Sequence, residues 1–283
     1  MKNFPTQAFI GGELTDAASG ATFDSLAPGS GELLAKVAAC DAEDVDRAVG
    51  AARKAFGSWS SRTAYNRAQI VYRIAEVMED RRPQFVQAVV QSEGLTASKA
   101  EKVVDAAIDR LVWYAGWADK ITQVVGNANP VAGPYFNLST PEPSGVIAVV
   151  APRDALLGLV SVVAPLIITG NTVVVIASEE NPLTAITLGE VMATSDLPGG
   201  VVNVLTGSAA EIAPWLASHM DVNGIDLTGI EDAALATELE VAAADNLKRV
   251  RRPAPDTDWL AEPGLDRMTQ FLETKTVWHP IGV

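Results

Sequence analysis

The sequence predicts a doubly wound α/β domain preceded by a helical region and carrying an extended arm. From Gly145 onward, short uninterrupted apolar, β-branched runs alternate with helical segments, the pattern of parallel strands covered on both faces. Residues 41–120 instead place apolar side chains at helical spacing. Between these regions lies a Gly-, Asn- and Pro-rich stretch suited to an extended hairpin.

In chain order, Asp41 is placed to cap a first helix, with Asp44 completing a loose capping box ahead of Val45, Ala48, Val49, Ala52 and Phe56. Ile70, Ile74, Val77 and Met78 mark a second helix. Pro83 opens a third at a first-turn position and Gly94 closes it. Val104, Ile108, Leu111, Ala115 and Ala118 stripe a fourth. The arm, about residues 121–144, holds Ile121–Val125 and Tyr135–Leu138 as expected strands. Strands then follow at Val146–Val150, Thr172–Ile176, Val201–Leu205, Gly224–Leu227 and Leu247–Val250. The intervening helices fall near Leu156–Ile168, Leu183–Thr194, Ala209–Ser218 and Ala233–Ala244. Right-handed crossovers would put any ligand outside the carboxyl ends of these strands. Pro253, Pro255 and Pro263 punctuate a linker, and Phe271–Trp278 is a β-prone tail. Thr274 and Thr276 alternate there with Lys275 and Val277, as in a strand with one buried face.

Composition narrows the function. The 283 residues carry a net charge of −14, which argues against binding a polyanion. The one basic run, Lys248, Arg249, Arg251 and Arg252, reads as a solvated face or linker. A single cysteine, Cys40, excludes an internal disulfide, and the first residues lack a secretory pattern, so a cytoplasmic location is expected. The uncharged stretch Ala155–Thr169 contains Gly158 and Pro165 and is too short to span a bilayer, so a buried core helix is expected. With Cys40, His219 and His279 far apart in sequence, no metal-ligand spacing exists, and there is no GxGxxG or Walker loop.

Gly145–Pro152 (GVIAVVAP), Gly170–Glu179 (GNTVVVIASE), Leu197–Gly207 (LPGGVVNVLTG) and Leu227–Gly229 (LTG) together resemble the aldehyde dehydrogenase superfamily. The likeness runs from Phe9 to Val250, and Phe271–Trp278 (FLETKTVW) resembles the family's last strand, which packs into a neighbouring subunit. It implies a Rossmann-like dinucleotide-binding domain over residues 1–250 with the arm inserted, then a linker and oligomerisation strand over 251–283.

The departures from the family's pattern shape the functional expectation. The asparagine that helps hold the thiohemiacetal oxyanion falls on Asp154, a carboxylate that cannot donate that bond unless protonated. The lysine for the adenosine ribose falls on Ile176, and the small serine near the pyrophosphate falls on Ile230. Glu179, Gly207 and Gly229 remain as cofactor-side positions, Glu179 also serving as a helix N-terminal charge. Reinstating Ile176→Lys and Ile230→Ser is expected to strengthen NAD binding if the cleft is intact. After Asn246–Val250, where the family's general-base glutamate and nucleophilic cysteine would follow, the chain runs through the linker to the tail, and no cysteine occurs there. Cys40 precedes a helix in a structural region and is not expected to be catalytic.

The resemblance therefore implies a non-catalytic subunit with no required cofactor and at most weak or vestigial NAD(P) binding. Its expected partner is a full-length aldehyde dehydrogenase paralogue, engaged through the arm 121–144 and the tail 271–283. The alternatives are a stand-alone NAD-binding or sensing module, a residual oxidoreductase acting on aldehydes within a complex, and unrelated chemistry in the cleft.

Overall fold

A computed structural model describes residues 4–254 and 257–282; Pro255 of the linker and Val283 of the tail lie outside the described residues. The chain opens with two hairpins that the sequence reading did not anticipate. They comprise β1 (Ala8–Ile10) with β2 (Glu13–Thr15), and β3 (Thr22–Leu26) with β4 (Leu33–Ala38). The four predicted helices follow as α1 (Ala42–Ser60), α2 (Ala64–Asp80), α3 (Arg82–Glu93) and α4 (Ala97–Trp117). Asp41 and Asp44 form the reciprocal capping box on α1. Gly94 ends α3 in the left-handed region at φ 67°, where a side chain would be strained.

Ile121–Val125, expected as a strand, is a short helix, α5. It continues from α4 by turns, with Gln123 and Val124 donating to the Lys120 carbonyl, and buries Ile121 against the core. Only Ile121 of these five residues is buried, so the turns continued from the end of α4, and not burial of the branched side chains, accompany the helical conformation. The arm itself is β5 (Asn127–Asn129) and β6 (Tyr135–Pro143).

Next come β7 (Val146–Val150), α6 (Leu157–Ile168), β8 (Thr172–Ile176), α7 (Pro182–Ala193) and β9 (Val202–Leu205). After these follow α8 (Ala209–Ser218), β10 (Gly224–Asp226), α9 (Ala233–Ala244) and β11 (Arg249–Arg251). A short α10 (Asp266–Thr269) leads to the tail strand β12 (Leu272–Pro280). The main sheet has the order β11-β10-β7-β8-β9-β1-β2, parallel through its first five strands and closed by antiparallel β1 and β2.

Strand alternation divides the core. Ile147, Val149, Val173, Val175 and Val204 meet α2, α4, α6 and α7 on one face. Val146, Ala148, Val150, Val174, Ile176 and Leu205 meet α1, α8 and α9 on the other. Every residue of α6 is buried, which is the core helix the uncharged stretch predicted. Among the described residues, no helix is long and apolar enough to cross a membrane.

The tail pairs within its own chain. β12 runs antiparallel to β6 in continuous register from Leu272 opposite Pro143 to Pro280 opposite Tyr135, giving a sheet ordered β12-β6-β5. The expected one-sided burial of this strand is not found, because residues 273–280 are all exposed. The basic run is not a free solvated face either: Arg249 grips Glu273 with two 2.7 Å bonds, Arg251 pairs with Asp266, and Arg252 with Glu240.

Candidate functional site

In the parallel sheet β7 is the strand from which the chain winds both ways, with β8 and β9 on one side and β10 and β11 on the other. The crevice outside the carboxyl ends of β7 and β10 is therefore the position where such a sheet takes a ligand. Pro152, Arg153 and Asp154 leave β7 there, and Thr228, Gly229 and Ile230 leave β10.

These residues pack against one another tightly. The Gly229 amide donates to the Val150 carbonyl at 3.0 Å, and a Cβ on Gly229 would stand 2.0 Å from the Ala151 oxygen. Gly229 is thus explained by the close approach of two loops. Gly207 has φ +131°, and a Cβ there would press on Ile212 at 3.1 Å. Ile230 and Ile176 are 4% and 0% exposed and belong to the core shared with Val150, Ile212 and Leu239. The cavity left between Pro152, Asp154, Thr228, Ile230 and Trp259 is about 60 Å³.

The larger concavity, about 680 Å³, opens on the other side of Asp154. The loop between β3 and β4, the end of α3 and the turns after β7 and β8 line it, bringing Asp24, Glu93, Asp154, Glu179 and Glu180 to one space. Arg153 also lines it and is paired with Glu180 at 2.8 Å. Glu179, which the resemblance offered as a cofactor-side position, is exposed here.

Glu93 is the residue the sequence reading missed. Its Oε1 is buried without a hydrogen-bond partner. Burial pushes its carboxyl up to about 7, the negative charge of Asp154 adds to the rise, and the Leu156 and Ala155 amides oppose it. Asp154 is also raised, by desolvation first, against hydrogen bonds to its own backbone and Trp259 and the charge of Arg153. A lone glutamate ahead of a helix-ending glycine carries no pattern that sequence alone would flag.

Sequence reasoning also passed over a polar cluster at the crevice rim. Arg267 pairs with Asp226 at 3.1 Å and stacks near Trp259, and Arg110 donates to the Trp259 and Ala261 carbonyls. Its only sequence signals are an arginine inside the apolar stripe of α4 and a tryptophan inside the linker. Cys40 is buried, and desolvation pushes its thiol up to about 11, away from the range of an activated nucleophile. His219 pairs with Asp46 at 3.3 Å, and His279 is exposed on β12. Among the described residues no group of histidine, cysteine and carboxylates is arranged to hold a metal.

Comparison with known proteins accords with this architecture. The profile of the aldehyde dehydrogenase family matches residues 14–252. The chain is 38% identical over 249 residues to aldehyde dehydrogenase family 2 member B4, mitochondrial, of Arabidopsis thaliana, covering 87% of this chain and 46% of that protein. It is 37% identical over 252 residues to aminoacetaldehyde dehydrogenase of Pseudomonas aeruginosa, covering 88% and 50%. Among solved structures, the aldehyde dehydrogenase KauB of Pseudomonas aeruginosa superposes with a TM-score of 0.83 at 36% identity, covering 88% of this chain and 50% of that one. A betaine aldehyde dehydrogenase of Staphylococcus aureus, solved with NAD+, superposes with a TM-score of 0.81 at 28% identity, covering 88% and 50%. The chain spans about half the length of these relatives. With the profile running from β2 through β11 and the same sheet recurring in the solved structures, the chain belongs to the aldehyde dehydrogenase family.

Proposed function

We propose that this chain is a non-catalytic, cytoplasmic aldehyde dehydrogenase-like subunit that assembles with a full-length NAD(P)-dependent aldehyde dehydrogenase and stabilises or regulates it. The observation that carries the reading is the route of the chain after the parallel sheet. From β11 it passes through a short connection into β12, which completes the arm sheet in nine-residue register with β6. The parts that present an arm are thus assembled on a dinucleotide-binding fold, with Asp154 at the position where the resemblance requires a hydrogen-bond donor. β12 lies at the edge of its sheet with Val277 and Trp278 exposed on it, and Phe136 and Leu138 stand exposed on β6 beside it. An open edge with apolar side chains favours pairing with another chain.

The residues at the crevice fit a dinucleotide poorly. Ile176 offers no donor to a ribose, Ile230 fills the loop beside the crevice, and the roomy concavity is lined by carboxylates that repel a pyrophosphate. The alternative of an NAD-binding or sensing module is favoured by one observation, the exposed Glu179 in that concavity.

The test is to titrate the purified chain into a full-length aldehyde dehydrogenase paralogue, following NADH formation and the thermal midpoint. The reading expects no aldehyde oxidation by the chain alone and a saturable change in the partner's turnover or midpoint. Steady turnover by the chain alone that survives Cys40→Ala, or a partner indifferent to the chain, contradicts it.

A further inference from the structure

Residues 257–264, through Trp259, lie on the crevice outside the carboxyl ends of β7 and β10. Trp259 is 9% exposed, and its indole sits above Gly158, where a Cβ would stand 3.4 Å from the ring. Arg110, from α4, donates to the Ser161 hydroxyl at 2.6 Å and to the carbonyls of Trp259 and Ala261 at 2.8 and 2.9 Å. Arg267, from α10, pairs with Asp226 at the end of β10, the two side chains being 10% and 3% exposed. Its guanidinium carbon lies 5.0 Å from the centre of the Trp259 ring. The remaining cavity of about 60 Å³ holds roughly two waters, where a ligand pocket runs to several hundred cubic ångströms.

The attachment has a particular form. One end of each arginine's interactions is on the sheet or its helices, and the other is on this segment. Residues 257–264 contain no strand and join the main sheet by no β-ladder, whereas Met268 and Phe271 beyond them are buried in the core. Proline stands on either side of Trp259, at 253 and 263. The segment can therefore leave the crevice by breaking side-chain contacts alone, with the sheet's backbone hydrogen bonds intact.

We propose that residues 257–264 are a strap that occupies the crevice in place of a ligand, clamped shut by Arg110 and by Arg267 of α10, and that it lifts as a unit while the sheet and α10 stay folded. Segments that open below the global unfolding free energy behave in this way.

A thiol beneath the strap reports its opening. Thr228 is 7% exposed under Arg267, so Thr228→Cys in the full chain places a probe there, while native Cys40, 6% exposed and packed beside Thr206, serves as the reference. Labelling by iodoacetamide is followed at each site by mass spectrometry. Adding Arg267→Gln removes the ion-pair partner of buried Asp226 and the cation over the Trp259 ring, and is expected to speed labelling at the introduced thiol about ten-fold or more. Labelling of Cys40 is expected to stay within about two-fold. Equal acceleration at both thiols, or none at either, overturns the proposal. Should Arg267→Gln fail to fold, the Thr228→Cys chain is labelled in rising sub-denaturing urea. Reactivity at the introduced thiol before Cys40 supports the strap, and coincident exposure of the two overturns it.

Discussion

Glu93 ionises at an energetic cost, because its carboxylate must form with a buried, unpartnered oxygen beside Asp154. Its folded value of about 7 lies above the ordinary glutamate value, so its contribution to stability is present below about pH 4.5 and lost as pH rises through 7. Asp154 adds repulsion from within the same concavity, and Arg153 is already engaged by Glu180. Glu93→Gln should therefore stabilise the chain at pH 8 by about 1–3 kcal/mol in urea denaturation, the gain fading towards pH 4.5. A pH-independent difference would show that Glu93 is not the strained group. The two isoleucines raise a different issue at the same scale. Calorimetry of the native chain should detect weak NAD binding or none. Reinstating Ile176→Lys with Ile230→Ser, expected from sequence to strengthen binding, instead places an ammonium where the structure has a fully buried aliphatic side chain. That double variant should lose about 3 kcal/mol or more of stability without gaining affinity. A low-micromolar dissociation constant for either protein would favour the NAD-sensing alternative.

The elements most legible from sequence are those whose signals are local. The Asp41 capping box, Pro83 at the start of α3, Gly94 at its end and the unbroken apolar strands all recur in the structure within a residue or two. α5 was misread because Ile, Thr and Val favour strands, whereas here the chain continues the turns at the end of α4 with only Ile121 buried. The hairpins before Cys40 escaped notice because their strands are three to six residues long and weakly alternating. The tail's role is corrected in detail. Phe271 is 1% exposed, its carbonyl accepts from Asn171 and Ser144, and its ring fills the space beside Gly224, so it belongs to the core. Deletion from Phe271 should therefore destabilise the α/β domain by about 3–5 kcal/mol. Truncation from Thr274 instead removes only exposed residues of β12 and should leave the thermal midpoint of the sheet nearly unchanged, while abolishing co-purification with the partner. Retained co-purification would move the docking surface away from the tail.

At the scale of the molecule, the parallel sheet and the crevice at its switch point followed from the rhythm of strands and helices. The occupancy of that crevice did not, because it depends on contacts between Arg110, Trp259 and Arg267, which come together only in three dimensions. The acidic concavity was equally hidden, since its carboxylates come from four separated segments. Three features set the functional account: a filled crevice, Asp154 where the resemblance leads one to expect an oxyanion donor, and an arm sheet whose outer strand is exposed from Glu273 to Pro280. They combine into one expectation, that the chain reaches its working form beside a full-length aldehyde dehydrogenase and not as a catalyst of its own. Size-exclusion chromatography with in-line mass measurement tests this most directly, on the chain alone and mixed with the full-length paralogue. The account predicts a stable species in the mixture that contains both chains and is absent from either sample alone. A chain that stays monomeric, or assembles only with itself, while the full-length enzyme elutes unchanged would contradict it.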